Sequence, residues 1–200
     1  MRKIFLLAVM AICTITASAQ IEKGLRTGVT FNGSISTYSG IDGASNSIGF
    51  GAGYIVEYNL NKNLYIGSGL QFGLRGAKMK SFEYKGQKVD LNKESDVRSY
   101  NLILPVNIGG RVSVADNAHI FAQAGPYVSY AAKTGGIEVA ILGGRTDKVK
   151  CEAFDYGINA KAGVEFNNIQ IYGGYEYGMA EVWKKDGKNR SIVFGAAYMF

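Results

Sequence analysis

The sequence predicts an all-β fold, an eight-stranded antiparallel up-and-down barrel. Three observations carry this: long stretches of strict two-residue alternation, eight such stretches, and connections that alternate between short and long. In 47–60 the even positions are Ile48, Phe50, Ala52, Tyr54, Val56, Tyr58 and Leu60, against Gly49, Gly51, Gly53, Ile55, Glu57 and Asn59. In 100–114 Leu102, Leu104, Val106, Ile108 and Val112 oppose Asn101, Asn107, Arg111 and Ser113. In 154–166 Phe154, Tyr156, Ile158, Ala160, Ala162, Val164 and Phe166 oppose Asp155, Gly157, Asn159, Lys161, Gly163 and Glu165. A helix, with 3.6 residues per turn, would scatter each of these faces.

Taken in order, the strands are expected near 24–33, 48–59, 64–75, 100–114, 119–131, 154–166, 169–179 and 190–200. Each is longer than the usual five or six residues of a soluble sheet and long enough to cross a bilayer when tilted. Short turns follow strands two, four and six; long loops follow one, three, five and seven. That is the layout of a transmembrane barrel of the outer-membrane type, with its turns in the periplasm and its loops outside. Aromatics on the apolar face mark two girdles, with Tyr58, Phe166, Tyr198 and Phe200 at the turn side and Phe31, Tyr100, Tyr130, Phe154 and Tyr177 at the loop side. A soluble barrel would reverse the two faces, and a secreted ligand-binding barrel is the alternative this distribution argues against.

Composition agrees. At 47% hydrophobic and 19% charged residues the chain can bury a core, which excludes disorder, and 27 glycines without a three-residue period exclude collagen. Residues 1–19 read as a signal peptide: Arg2 and Lys3, an apolar stretch over Ile4–Ile15, and an Ala17-Ser18-Ala19 cleavage site, leaving a barrel domain over 20–200. That leader carries Cys13, so the mature chain holds Cys151 alone and forms no internal disulfide.

The polar face then points into the lumen. It carries Arg26, Arg75, Arg111 and Lys161 against Glu57, Asp155, Glu165 and Glu176, a balanced set expected to pair across the barrel and close it as a structural network. Asn32, Gln71, Asn107, Gln123, Asn159 and Gln170 share that face, as do ten glycines that make room for the larger side chains. Chemistry is sparse. His119 stands at the turn side in a structural role, no His, Cys and carboxylate set has metal-ligand spacing, and Gly143-Gly144 and Gly173-Gly174 lack the strand-to-helix context of a phosphate loop. The expectation is a non-enzyme with no cofactor and no metal.

Tyr100-Asn101-Leu102-Ile103-Leu104-Pro105-Val106 is similar to a strand of the PorT-family outer-membrane β-barrel domains of Gram-negative bacteria. Ala124-Gly125-Pro126-Tyr127, Phe154-Asp155-Tyr156-Gly157, Ala162-Gly163-Val164-Glu165-Phe166 and Tyr198-Met199-Phe200 follow in the same order. The resemblance covers almost the whole mature chain and implies an eight-stranded outer-membrane barrel without catalytic residues. Pro105 and Pro126 fall inside predicted strands, where each removes a ladder hydrogen bond, so bulges are expected there.

Partners follow from these features. They are outer-membrane lipid along the wall, the barrel-insertion machinery reading Tyr198 and Phe200 at the end of the last strand, and a surface glycan, lipid head group or envelope protein at the loops. The 76–99 loop carries a net charge of +2, from six basic and four acidic residues, and its 82–91 segment resembles a hairpin rising above the membrane. Nothing invokes nucleic acid. The function expected is structural, adhesive or in envelope assembly, with a narrow pore or small-solute channel as the alternative.

Overall fold

The computed structural model describes residues 24–41, 43–84, 87–134, 136–141, 145–183 and 186–200, so the expected signal peptide lies outside the described residues. All regular structure among them is strand: β1 (Gly24–Ser39), β2 (Ala44–Asn59), β3 (Leu64–Tyr84), β4 (Gln87–Ala115), β5 (Ala118–Lys133), β6 (Gly136–Ile141), β7 (Arg145–Lys150), β8 (Phe154–Phe166), β9 (Ile169–Trp183) and β10 (Asp186–Met199). Eight of them close a barrel in the order β1-β10-β9-β8-β5-β4-β3-β2, every neighbouring pair antiparallel. Closure pairs β1 with β10 from Gly28–Met199 to Ser39–Lys188, so no edge is left open along the wall.

The local chemistry of the turns fits their lengths. Between β8 and β9 only Asn167 and Asn168 intervene, and Asn167 takes a left-handed φ of 52°, which asparagine tolerates better than most residues. Between β2 and β3, Asn61 Oδ1 accepts the backbone N–H of Asn63 and of Leu64, each at 2.8 Å, which folds the chain back. At the other end the expected long loops are largely strand. The β3–β4 ladder continues through Ser81–Asp90 to Tyr84–Gln87, and the segment after β5 holds the separate two-stranded sheet β6–β7. Alternation fades in these extensions because the apolar outer face stops where lipid stops, while backbone pairing does not.

Sidedness is unambiguous from burial. Outward Phe31, Phe50 and Ile108 are 67%, 68% and 70% exposed, whereas inward Arg111 and Glu165 are 2% and 1% exposed. This inverts the soluble pattern and matches a wall immersed in hydrocarbon. Phe31 departs from the expected girdle. β1 runs on to Ser39 and pairs Phe31 with Ala196 and Ala52, which puts its ring at mid-wall.

The prolines also depart from expectation. Pairing keeps one register on either side of both, Pro105 with Tyr127 and Ile108 with Ala124, while the irregularities of this ladder fall at Tyr100/Asn101 and Ser113/Ala115. Pro126 stays paired with Ile158. A missing N–H costs one ladder bond, and the bonds around it hold the strand in place without an extra residue.

Candidate functional site

Parity and register bring the lumen residues together in tiers. At the turn end, Arg26 on β1, Glu57 on β2, Arg111 on β4 and Glu165 on β8 form one cluster. Arg26 Nη2 lies 2.7 Å from Glu165 Oε1, Arg26 Nη1 3.5 Å from Glu57 Oε2, and Arg111 Nη2 2.5 Å from Glu57 Oε2 and 3.2 Å from Glu165 Oε2. Gln170 Nε2 donates to Glu57 Oε1 at 3.0 Å and to Glu165 Oε2 at 2.9 Å, so each carboxylate is held by both arginines and by an amide. Two cations and two anions cancel in a space without bulk water, and removal of any one would strand a buried charge.

Toward the loop end, Arg75 pairs with Glu176. The other two expected members do not join an ion pair. Asp155 Oδ2 accepts the Tyr127 hydroxyl at 3.0 Å, and the Lys161 ammonium sits 5.3 Å from the centre of the Tyr172 ring. Among the described residues no carboxylate lies within ion-pair distance of Lys161. The balanced pairing expected from composition is thus realised for six of the eight groups, because Lys161 and Asp155 each face a tyrosine instead of each other.

Those tyrosines are what the sequence reading missed. Tyr65, Tyr127 and Tyr172 point inward, and each lies beside a cation: Arg111 4.8 Å from the centre of Tyr65, Arg75 5.2 Å from that of Tyr127, and Lys161 over Tyr172. Each is also cross-strand partner to a glycine: Tyr65 to Gly109, Tyr127 to Gly157, Tyr172 to Gly163 and Gly195. A Cβ on Gly109 would stand 2.2 Å from the Tyr65 ring, and one on Gly195 2.8 Å from the Tyr172 hydroxyl. The ring lies over the strand next door and fits only where that strand has no side chain. The usable signal was an inward tyrosine opposite an inward glycine, repeated three times.

Above Arg75 the inward positions change character. Tyr38, Ala77, Met79, Val97 and Cys151 form a buried apolar cluster, with Ile41, Ala44 and Val182 packed against it. Burial there pushes the Cys151 thiol up to about 11, against the hydrogen bond from Tyr38, and keeps it protonated and unreactive near neutral pH. A second apolar cluster, Phe121, Tyr172, Val193 and Ala197, stands inside the wall. Between the tiers remain two small cavities. One of about 30 Å³ is bounded by Thr30, Gln71, Asn107, Lys161 and Tyr172, and one of about 40 Å³ by Arg75, Asn101, Cys151, Asp155 and Asn189. Each has room for a water or two and for nothing larger.

The remaining expected residues are placed simply. His119 is buried at the turn end, its Nδ1 3.0 Å from the Ser113 hydroxyl. Tyr198 is exposed on the lipid face, its ring edge-on to Phe200 at 5.7 Å, and the Phe200 N–H donates to the Thr27 carbonyl at 2.7 Å. Among the described residues no group of His, Cys, Asp or Glu could hold a metal ion.

Solved structures resemble this architecture at low identity. OprG from Pseudomonas aeruginosa matches with a TM-score of 0.53 at 9% identity, covering 90% of this chain and 97% of that one. Neisserial surface protein A matches at 0.50 and 14%, covering 86% and 95%. Ail, the attachment invasion locus protein of Yersinia pestis, matches at 0.42 and 16%, covering 90% and 99%. No curated protein matches in sequence. The family model described as outer membrane protein beta-barrel domain matches residues 16–183. An eight-stranded barrel with an apolar outer wall and a charged, tyrosine-packed interior therefore belongs to the outer-membrane β-barrel domain family and resides in the outer membrane.

Proposed function

We propose that the protein is a non-enzymatic, plugged barrel with a structural, adhesive or envelope-assembly role, acting through its outer surface and wall and not through its lumen. The observation that carries this is the filling of the interior among the described residues, where ion-paired tiers, inward tyrosines and an apolar cap surround small cavities of about 30 and 40 Å³. An ion would have to shed its water and part buried ion pairs to cross, at a cost of several kcal/mol per step. Arg26, Glu57, Arg75, Arg111, Asp155, Lys161, Glu165 and Glu176 are in this reading structural. The ordered segments from Tyr100–Val106 to Tyr198–Phe200 support kinship with the PorT branch of the family. Residues 1–19 serve export, and Tyr198 with Phe200 serves recognition by the insertion machinery.

Planar-bilayer recording of the refolded mature protein tests the reading. No steady open-state current above leak is expected. A stable current would replace it with the narrow-pore alternative.

A further inference from the structure

Lys161 stands apart from the other charges of the lumen. Arg26 and Arg111 hold Glu57 and Glu165, and Arg75 holds Glu176, so the arginines take up the glutamates. One cation and one anion are left over, Lys161 and Asp155. Both lie on β8, six residues apart, which sets them roughly 20 Å from each other along the strand. Asp155 is half-buried toward the loop end and accepts the Tyr127 hydroxyl, whereas Lys161 is only 7% exposed. Neither neutralises the other. Of the eight charged groups, Lys161 alone makes no hydrogen bond among the described residues. The Tyr172 ring attracts the ammonium at 5.3 Å but leaves its N–H donors unspent, and a buried charge in that condition is costly unless something else satisfies it.

Together with the Tyr172 that its ammonium faces, Lys161 borders the cavity of about 30 Å³ between the tiers, and Gln71, Asn107 and Gln123 border it too. Asn107 Oδ1 is taken by Asn159 Nδ2 at 2.9 Å, so that amide has only N–H groups to offer the cavity. The two glutamine amides have no other partner among the described residues, and each brings a donor group and an acceptor. Glu57 reaches the edge of the cavity, but its oxygens are spent on Arg26, Arg111 and Gln170. Donors are therefore in surplus around a positive charge. A water there would add donors of its own and no charge, whereas an anion adds only acceptors and cancels the lysine. Volume selects the anion: phosphate, sulfate or a carboxylate needs more than the space of a water or two, and a single chloride fits it.

We propose that the lumen binds one chloride, held between the Lys161 ammonium and the Gln71, Gln123 and Asn107 amides, as a resident counter-ion of the barrel. The ion takes the part that a fourth paired glutamate would play. The site goes beyond the plugged reading, because it concerns the charge balance of the interior and not conduction through it.

Refolding of the full mature chain in chloride, bromide or gluconate at matched ionic strength tests this, each sample being folded in its own salt because the ion enters as the barrel closes. In crystals from bromide, one anomalous peak is expected in the cavity, within hydrogen-bond reach of Lys161 Nζ. In vesicles, the folded-to-unfolded ratio in denaturant should rise about tenfold for each tenfold of chloride above the dissociation constant as chloride replaces gluconate, as a ligand of the folded state alone requires. Lys161→Met, which keeps most of the side chain without its charge, should lose both the peak and the chloride response. Gln71→Leu should weaken the response severalfold, and it keeps the test decisive should Lys161→Met not fold. Heat-modifiable migration shows which variants fold. A water in place of the bromide, a ratio indifferent to chloride, or an unchanged response in either folded variant would overturn the proposal.

Discussion

Three inward tyrosines, each beside a cation, account for four of the barrel's glycines, Gly109, Gly157, Gly163 and Gly195, which stand opposite them. Gly109 is the sharpest case: its missing Cβ leaves the space in which the Tyr65 ring lies against β4 and meets Arg111. Gly109→Ala must push that ring off the strand and disturb the arginine that holds Glu57 and Glu165. The expected cost is about 1–3 kcal/mol, the usual range for overpacking a filled interior. Denaturant unfolding from lipid vesicles measures it, and the Gly109→Ala, Tyr65→Ala pair should be non-additive because the two residues share one space. A neutral Gly109→Ala would remove the ring from its place in the lumen.

β4 shows how one strand serves two solvents. Leu104 faces lipid and Asn107 faces the lumen, where its Oδ1 accepts from Asn159 Nδ2 at 2.9 Å. Leu104→Arg should destabilise the inserted barrel by about 2–4 kcal/mol, as a charge near the hydrocarbon midplane does. Asn107→Ala strands one buried amide and should cost about 1–3 kcal/mol. Vesicle unfolding of both variants separates the faces, and a harmless Leu104→Arg would place the apolar face inside. The same strand marks the limit of pattern reading. Alternation locates 100–114, yet β4 begins at Gln87, because above the membrane both faces of the ribbon leave hydrocarbon and the apolar period ends.

At the scale of the whole barrel, stability and closure are one property. β1 and β10, the first and last strands of the wall, close it against each other, and without that seam two rows of backbone groups would face hydrocarbon unpaired. A chain lacking 186–200 should therefore give no heat-modifiable folded form in vesicles, whereas the intact mature chain should. Folded migration of the truncated chain would mean that β9 and β1 can close on each other.

Alternation, glycine content and the order of short and long connections were sufficient for the class, the eight wall strands and the inward placement of all eight charged groups. These are properties of single strands, set by the two-residue period of the backbone and the polarity of the surroundings. Which charges pair was decided by register and curvature, which bring Arg26 of β1 to Glu165 of β8, 139 residues away, and leave Lys161 on a tyrosine. The apolar cap and the β6–β7 hairpin were likewise settled only in three dimensions. Each depends on several strands meeting at one height, and a one-dimensional pattern carries no information about height.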